Sequence, residues 1–403
     1  MSLSNKITYI SLFSGCGGFD AGFNTSEFEC LGAYDIDPVV TDVHSKNLDV
    51  PTYIHDLNNL ELPGNLPSNI DFVISGSPCQ GFSTIGKRVV NDPRNSLLLV
   101  GGKIAIQYNA KVFVCENVPG SISGEHRKYW IELQALLKKN GYSTRMIKYE
   151  VSDFGVPQLR KRIILYAWKG EDGEIELLSP PKQKVLLRDI LNDLSTKNNH
   201  NLNFIENKDD LIIANKIKPG QKLCNVRGGE RSVHTWNIPE VFGRTNKSEI
   251  QFLVTLMKLR RQIRRRSSGD ADPVEKKILK RHFNGKTDSL INSLTKKGYI
   301  KIVQKKYVEL TNTFNGKFKR LDLSTLSPTV DTRFGNYKNF LHPLENRSLS
   351  VREAARIQGF GDDFIFHGPI QKQYEMIGNA VPPPLSRFIA KNVKKIIANE
   401  QFK

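Results

Sequence analysis

Short apolar runs recur along the first 170 residues and are separated by longer, more polar stretches. Five runs of five or six residues stand out, at positions 7–12 (ITYISL), 29–34 (ECLGAY), 71–75 (DFVIS), 111–115 (KVFVC) and 162–167 (RIILYA). Apolar strands that alternate with helix-length segments predict a mostly parallel sheet covered by helices on both faces, which is the α/β class. Ligands bind such sheets at the carboxyl ends of the strands, where this chain has its glycine-rich and polar turns.

The pattern changes near the Ser-Pro-Pro sequence at 179–181, after which the chain is basic and polar to about residue 344. Ten Lys or Arg residues and only three acidic ones fall between positions 257 and 282. Apolar spacing there predicts three helices and then a hairpin, at 249–265, 273–283, 287–297 and 299–310. We expect Asp272 to cap the second helix and Pro273 to be its first residue. Three helices followed by a hairpin resemble a winged-helix module.

Helical periodicity and low charge return from Arg347 onward. We therefore expect three segments along the chain. Residues 1–180 and 345–403 would form one α/β domain, and residues 181–344 would form a smaller domain inserted into it.

Composition narrows the class of protein. The chain has 403 residues, of which 39% are hydrophobic and 25% charged, as in soluble globular proteins. The net charge of +18 favours nucleic acid or another anionic surface as a partner. Five cysteines without a C-x-x-C pair argue against a disulfide framework and against a zinc site. The N-terminal apolar stretch is too short for a signal peptide, so we expect a soluble, reduced, intracellular protein.

The first candidate site is the glycine loop FSGCGG at 13–18, directly after the first predicted strand. Glycines allow a backbone to approach a ligand closely, and a predicted helix N-terminus after the loop would favour polar or anionic groups. Asp35 and Asp37 follow about 20 residues later, where nucleoside sites place a carboxylate against ribose hydroxyls. The loop lacks G-x-G-x-x-G spacing, which argues against a dinucleotide-dependent dehydrogenase. Taken alone, it could equally be an ordinary tight turn.

The second candidate is Cys79 in the sequence GSPCQGFS at 76–83. A cysteine between Pro78 and Gln80 at a strand's carboxyl end has the placement of a nucleophile. A lone cysteine is more often a small buried thiol, but a buried strand would not easily tolerate these neighbours. That buried role is expected of the other cysteines, Cys16, Cys30, Cys115 and Cys224.

Two further groups follow later strands. Glu116 leaves an apolar strand in the sequence ENVPG, so burial could raise its pKa and allow it to act as an acid. Arg160 and Arg162 alternate in QLRKR and are predicted to point to one side, where they could bind a phosphate, a carboxylate or a base carbonyl. Taken alone, the first group could be a helix cap and the second a solvated strand end.

The C-terminal segment has two motifs. In RSLSVREAARIQGF (347–360), Ser350 and Glu353 form a capping box that begins a helix. In QYEMIGNAVPP (373–383), Gly-Asn before a proline run predicts a tight turn, and a helix from Leu385 onward would pack back on the sheet.

Taken together and in this order, the six motifs resemble the DNA (cytosine-5-)-methyltransferase family of bacterial restriction–modification systems. They lie within 7–167 and 347–392 and leave the middle of the chain unmatched. The resemblance implies a Rossmann-like S-adenosylmethionine-dependent methyltransferase domain with a mixed, mostly parallel sheet. It also implies that the basic insert is a target recognition domain, for which Arg227, Arg231, Arg333 and residues 327–329 are candidate base-reading positions.

The resemblance implies S-adenosylmethionine as the methyl donor, with no metal. The residues at matching cofactor positions are Phe13, Ser14, Gly15, Gly17, Gly18, Asp35, Ile36, Asp56, Leu57, Leu97, Asn379 and Val381. Among these, Asp35 would bind the ribose and Asp56 the adenine amine. Ile36 stands where similar enzymes have an apolar or aromatic residue against the adenine, so this chain departs mildly from the aromatic form.

A catalytic cycle also follows from the resemblance. Cys79, flanked by Pro78 and Gln80, would add to C6 of a cytosine flipped out of the duplex. Glu116 would protonate or hydrogen-bond N3. Arg162 would hold the base carbonyl oxygen, and Arg160 would hold a backbone phosphate or the intermediate.

We expect double-stranded DNA as the partner of a monomeric, cytoplasmic, nucleoid-associated protein that does not bind membranes. A cognate restriction endonuclease would be a functional counterpart without being bound. Two alternatives remain. An RNA cytosine-5 methyltransferase would not need so long a basic insert. An inert DNA-binding protein with a degenerate methylase domain would not need Cys79, Glu116 and Arg162 intact.

Overall fold

The computed structural model describes residues 6–78, 93–170, 175–264, 272–311 and 315–399. The chain forms two compact units. The first unit comprises Met1–His200, Ser324–Thr332 and Val351–Lys403, and the second comprises Asn201–Leu323 and Arg333–Ser350.

The strands, in chain order, are β1 Ile7–Leu12, β2 Phe28–Asp35, β3 Thr52–Ile54, β4 Phe72–Ser75, β5 Val112–Asn117, β6 Tyr142–Glu150, β7 Gln158–Leu159, β8 Lys161–Lys169, β9 Lys222–Cys224, β10 Ser232–Val233, β11 Val274–Glu275, β12 Ile300–Val303, β13 Tyr307–Leu310, β14 Asn315–Lys317, β15 Lys319–Arg320, β16 Ser327–Pro328 and β17 Phe340–Leu341. The helices are α1 Pro38–Leu48, α2 Leu97–Gln107, α3 Arg127–Lys139, α4 Lys208–Lys216, α5 Pro239–Phe242, α6 Lys247–Gln262, α7 Lys276–Phe283, α8 Thr287–Lys296, α9 Val351–Gln358, α10 Ile370–Asn379 and α11 Pro383–Ile397.

The first unit is built on a seven-stranded sheet in the order β3-β2-β1-β4-β5-β8-β6. The five strands from β3 to β5 are parallel, and β8 runs antiparallel to both β5 and β6. The five predicted strands correspond to β1, β2, β4, β5 and β8, which confirms the mixed, mostly parallel α/β fold. The edge strands β3 and β6 were not predicted.

Alternate residues of the central strands enter two separate cores, one on each face of the sheet. Val112 and Val114 of β5 pack in the core that contains α11, whereas Phe113 of the same strand packs in the core that contains α2 and α3. Because both faces are covered, these strands are apolar at nearly every position.

Two expectations about the first unit are wrong. The glycine loop after β1 does not lead into an α-helix, because only a short 3₁₀ turn, Asp20–Gly22, follows it. An anion site at a helix N-terminus therefore does not form there. The candidate base-reading segment 327–329 does not belong to the second unit either, because β16 pairs in parallel with β7.

The boundaries of the units also differ from those expected. Residues 181–200 and 324–332 belong to the first unit, and the second unit extends to Ser350 instead of ending at residue 344. Pairing between strands far apart in the chain places residues 324–332 in the first unit, since Ser327 lies opposite Gln158.

The second unit contains the predicted helices and hairpin. Helices α6, α7 and α8 and the hairpin β12–β13 share one apolar core, which includes Leu256, Leu294 and Val308. The predicted start of the second helix is wrong, because Val274 and Glu275 form a strand against β13 and α7 begins only at Lys276. Asp272 therefore does not cap it.

The rest of the second unit has two small sheets, β10-β9-β14 and β15-β17. Arg320 of β15 is buried, and its guanidinium donates to the carbonyl oxygens of Ile217 and His342 at 2.6 and 2.9 Å. These bonds connect the segments around the two sheets. Across the described parts of both units, no helix has the length and apolar character needed to cross a bilayer.

Candidate active site

A cavity of about 480 Å³ opens at the carboxyl ends of β1, β2, β4 and β5 in the first unit. The predicted site residues that line it are Phe13, Ser14, Gly15, Gly18, Asp35, Ile36, Asp56, Leu57, Pro78, Leu97, Glu116, Arg162, Asn379 and Val381. Residues predicted from eight separate stretches of sequence therefore meet at one site. Gly17 and Arg160 do not line it.

The glycine loop is held open by backbone hydrogen bonds and left-handed conformations. Gly15 and Gly17 have φ angles of +54° and +91°. Ser14 N donates to the carbonyl oxygen of Tyr34 at 3.0 Å, which anchors the loop to β2. Gly17 lies against α1, since a Cβ there would be 2.6 Å from Leu48 Cδ1. Its role is to allow the turn.

Asp35 joins the loop to the end of β2. Its Oδ2 accepts a hydrogen bond from Gly15 N at 2.9 Å, and its Oδ1 accepts one from Asp37 N at 3.0 Å. Burial raises the pKa of Asp35, although these N–H groups favour the charged form. Asp37 instead caps α1, because its Oδ1 accepts from Val39 N at 2.9 Å.

An apolar side chain is exposed at the cavity between these acids. Ile36 is 65% exposed and lines the cavity directly after β2. Asp56 is also exposed, and its Oδ1 accepts from Asn58 N at 3.0 Å. A cavity with an open apolar surface and carboxylates near it can hold a flat ring that carries hydroxyl or amine donors.

Glu116 and Arg162 form a buried ion pair at the other side of the cavity. Arg162 Nε lies 2.5 Å from Glu116 Oε1, and the two side chains are 9% and 10% exposed. Burial raises the pKa of Glu116, and the charges of Arg162 and Arg160 oppose this shift. The raised pKa agrees with the expectation that this carboxyl group can carry a proton.

The loop that leads to Cys79 is fixed at its start. Buried Asn117 donates through Nδ2 to both the carbonyl oxygen and Oγ of Ser77, each at 3.2 Å. Pro78 lines the cavity immediately after it. Cys79 and Gln80 themselves lie in 79–92, outside the described residues. The sequence had not singled out Asn117 as a positioning residue.

Arg160 does not have the environment that was expected of it. The residue is 2% exposed, and its guanidinium donates to the carbonyl oxygens of Val330, Gly378 and Ala380 at 3.1, 2.9 and 3.0 Å. A phosphate contact would require these buried bonds to break. Arg160 therefore holds the turn that follows α10, and Ala380 of that turn lines the cavity.

The remaining cysteines are buried thiols, as expected. Burial raises the pKa of Cys16 to about 12 and raises that of Cys30 and Cys115 as well. None of these three groups has the environment of a reactive thiolate.

Sequence reasoning missed the contribution of α10. Lys372, Glu375 and Met376 line the cavity, and Lys372 Nζ lies 2.6 Å from Asp37 Oδ2. The helix could have been found, because Tyr374 and Ile377 repeat the apolar spacing that Ile370 begins. Among the described residues, no group of three or more His, Cys, Asp or Glu side chains is arranged to hold a metal ion.

Known proteins resemble this chain in sequence along nearly its whole length. The profile of a family described as C-5 cytosine-specific DNA methylase matches residues 7–395. Type II methyltransferase M.DdeI of Desulfomicrobium norvegicum is 28% identical, over 97% of this chain and 89% of its own length. Type II methyltransferase M.BanI of Aneurinibacillus aneurinilyticus is 26% identical, over 98% of each chain.

Solved structures share the fold. A candidate DNA modification methyltransferase encoded within an E. coli prophage superposes with a TM-score of 0.59 at 21% identity, over 97% of this chain and 99% of the other. The S. pombe Dnmt2 methyltransferase gives a TM-score of 0.55 at 14% identity, over 96% and 99%. Because the family profile spans nearly the whole sequence, this chain belongs to the C-5 cytosine-specific DNA methylase family.

Proposed function

We propose that this protein carries out its family's reaction on duplex DNA and transfers a methyl group to C5 of a cytosine within a short specific sequence. One observation carries the proposal. The Glu116–Arg162 ion pair, the residues Ser77 and Pro78 that precede Cys79, and a cavity suited to a nucleoside all meet at the same strand ends.

The cavity fits S-adenosylmethionine. Its volume is within the range of small-molecule sites, and Ile36 offers an uncovered apolar surface for an adenine ring. Asp35 and Asp56 supply carboxylates for hydroxyl and amine donors. When bound, this cofactor supplies an electrophilic methyl group on a sulfonium. The residues that would hold it include the glycine loop, Asn379 and Val381.

Cys79 supplies the nucleophile in this proposal. Cytosine C5 is a poor nucleophile, so the Cys79 thiolate adds to C6 and makes C5 electron rich. After C5 gains the methyl group, it loses its proton and the bond from C6 to the Cys79 sulfur breaks. Asn117 supports this step, because its hydrogen bonds fix Ser77 two residues before the nucleophile.

Glu116 and Arg162 act on the polar edge of the base. Protonated Glu116 donates to N3 as Cys79 adds, which neutralises the negative charge that the addition creates. Arg162 holds the base carbonyl oxygen while its Nε remains on Glu116. Arg160 acts as a positioning residue through the turn at Gly378 and Ala380.

The substrate is proposed to be double-stranded DNA from which the target cytosine is flipped, because none of these groups can reach C5 or C6 within a stacked duplex. The second unit would act as the target recognition domain. The net charge of +18 supports a phosphate-rich partner. A role in protecting host DNA in a restriction–modification system fits the naming of the relatives as Type II methyltransferases. The enzyme is proposed to act as a monomer.

Methyl transfer from tritiated S-adenosylmethionine to DNA and RNA tests the reaction, and bisulfite sequencing of DNA from expressing cells locates the product. We expect label on DNA cytosine C5 in one sequence context. Label found only on adenine, on cytosine N4 or on RNA would contradict the proposal.

A further inference from the structure

Three basic residues lie on adjoining backbone segments of the second unit. Lys222 begins β9, Arg231 immediately precedes β10, and Lys319 begins β15. Lys222 N donates to the carbonyl oxygen of Arg231 at 3.0 Å, which brings the first two together. Arg320 N donates to the carbonyl oxygen of Gln221, also at 3.0 Å, which brings β15 beside them.

These three side chains make no ion pair or hydrogen bond with any residue that the structure describes. Some other lysines of the same unit are paired, as Lys338 is with Asp210 at 3.1 Å and Lys297 is with Glu249 at 2.7 Å. The three cations of this cluster are distinguished by lying on adjoining backbone segments without an acidic partner among the described residues.

Lys319 is the most constrained member of the cluster. Its side chain is half-buried, and burial together with the charges of Lys222 and Arg231 lowers its pKa. The side chain of Lys222 passes close to Gly316 of β14, since a Cβ built at Gly316 would lie 3.4 Å from Lys222 Cδ. A partly desolvated ammonium beside two cations is unfavourable until an anion joins them.

We infer that Lys222, Arg231 and Lys319 together bind one phosphate group of the DNA backbone. This inference rests on the proposed function and assigns Arg231 to the backbone instead of to base reading. The side-chain amide of Gln221, next to Lys222, is also not available to read bases. Gln221 Nε2 donates to the carbonyl oxygen of Glu230 at 3.0 Å, and its Oε1 accepts from Lys218 N at 3.1 Å.

A salt titration of duplex binding with two matched variants tests the site. Lys319→Gln should lower affinity by the same factor on target and unrelated duplexes, since phosphates carry no sequence information. It should also flatten the slope of log K against log salt by up to about 0.9, the value for one phosphate. The free variant should unfold at the same temperature as wild type or higher, because like-charge repulsion is relieved. Lys338→Gln removes the same charge from an ion pair and should leave the slope unchanged.

Methylation by the wild type is measured in parallel, so that a failure of the phosphate site can be told apart from a failure of the proposed function. If the wild type methylates DNA but Lys319→Gln keeps the wild-type slope and affinity, the phosphate site is wrong and the proposed function stands. A changed target sequence in the variant would also overturn the inference, because the cluster would then read bases. If the wild type methylates no duplex, the proposed function fails first. Arg231→Gln, at an exposed position, repeats the test if Lys319→Gln does not fold.

Discussion

Arg162 Nε lies 2.5 Å from Glu116 Oε1, and about nine-tenths of each side chain is buried. The sheet fixes this relationship, because β5 and β8 are antiparallel neighbours in which Asn117 lies opposite Ile163. Glu116 lies opposite Ile164, two residues from Arg162 along β8, so the side chains of Glu116 and Arg162 are diagonal neighbours on one face of the sheet. An acid and a cation are held ready at the cavity before any substrate binds.

The pH dependence of the chemical step should follow Glu116. Its raised pKa keeps the carboxyl group protonated to a higher pH than in an ordinary glutamate. Activity that needs this proton is present below the pKa and is lost as pH rises through it. Glu116→Gln should lower the single-turnover rate on the order of 10²-fold or more and remove this alkaline limb. Rates measured across pH provide the check.

Glu150→Gln is the matched control for that substitution. Glu150 is a half-exposed carboxylate on β6 that pairs with Lys161 at 2.6 Å, and it does not line the cavity. We expect a wild-type pH profile from this variant. An alkaline limb that persists in Glu116→Gln would assign the titrating group elsewhere.

Cys79→Ala should abolish methylation and leave S-adenosylmethionine binding nearly intact, because the thiol acts on the base and not on the cofactor. Duplexes that contain 5-fluorocytosine should trap a covalent complex with wild type only, since fluorine cannot leave C5 as a proton does. Gel mobility and cofactor titration measure the two effects. Cys224→Ala, which changes a buried thiol of the second unit, should behave like wild type. Turnover retained by Cys79→Ala would refute the nucleophile.

Gly18→Ala should weaken cofactor binding roughly 10- to 100-fold, because overpacking typically costs about 1–3 kcal/mol. A Cβ at Gly18 would lie 2.7 Å from the carbonyl oxygen of Val381, and backbone at that position cannot move aside easily. Calorimetric titration with S-adenosylmethionine measures the loss. Gly124→Ala adds strain at φ +59° but meets no atom within 4 Å, so it should cost some stability and no cofactor affinity. Equal affinities in the two variants would contradict the close-packing argument.

The sequence predicted the central strands well, but it predicted the edge strands and the contacts between distant segments poorly. A strand such as β5 is buried on both faces, so it is apolar without interruption and can be recognised locally. The edge strand β3 has only three residues, of which Ile54 is 61% exposed, and so has no such signal. Helix α10 had a recognisable apolar spacing, but Gly378 and Asn379 were predicted as a tight turn, whereas they form the last residues of this helix.

The site was predictable where motifs follow strands, because the carboxyl ends of parallel strands lie at the same edge of the sheet. The partners of Arg160 were not predictable in the same way. Val330 and Ala380 are 170 and 220 residues away, and neither contact leaves a pattern in the sequence near Arg160. The expectation that Arg160 holds a phosphate or the intermediate came from the family resemblance, and burial of the guanidinium on backbone carbonyl groups argues against it.

Arg160→Met should destabilise the protein by several kcal/mol, because it removes donors to the buried carbonyl groups of Val330 and Gly378 and leaves them unsatisfied. It should also weaken S-adenosylmethionine binding, because the turn at Ala380 lines the cavity. The salt dependence of DNA binding should not change. Chemical denaturation, cofactor titration and DNA binding at several salt concentrations measure these effects.

Arg356→Met controls for the loss of a carbonyl-binding arginine. Arg356 donates to the carbonyl oxygens of Ile190 and Asn192 and does not line the cavity. The Arg356→Met variant should be less stable than the wild type, and its affinity for S-adenosylmethionine in the folded state should be unchanged. A flatter salt slope in Arg160→Met would restore the phosphate role that the burial of this residue argues against.

The arginines at 264–266 should contribute to DNA affinity more than to chemistry. Not every cation of this basic region is available to contact DNA, because Arg260 is buried and lies 3.7 Å from Glu309. Arg264 lies beyond the end of α6, and Arg265 and Arg266 lie outside the described residues. Replacing all three with Ala should flatten the slope of log K against log salt by up to about 3 if each contacts a phosphate, and should weaken binding equally on all sequences.

A control triple variant separates phosphate contacts from net charge. Lys277, Lys280 and Lys301 pair with Glu275, Asp288 and Glu309 at 2.9, 3.0 and 3.3 Å, so replacing them with Ala removes the same charge from existing ion pairs. We expect a smaller change in slope from this variant, because its lysines are already neutralised by neighbours. Equal slopes in wild type and the Arg264–Arg266 variant would place that cluster away from the duplex. A shift in the preferred target sequence would mean that the cluster reads bases, since only base contacts discriminate between sites that share the same backbone.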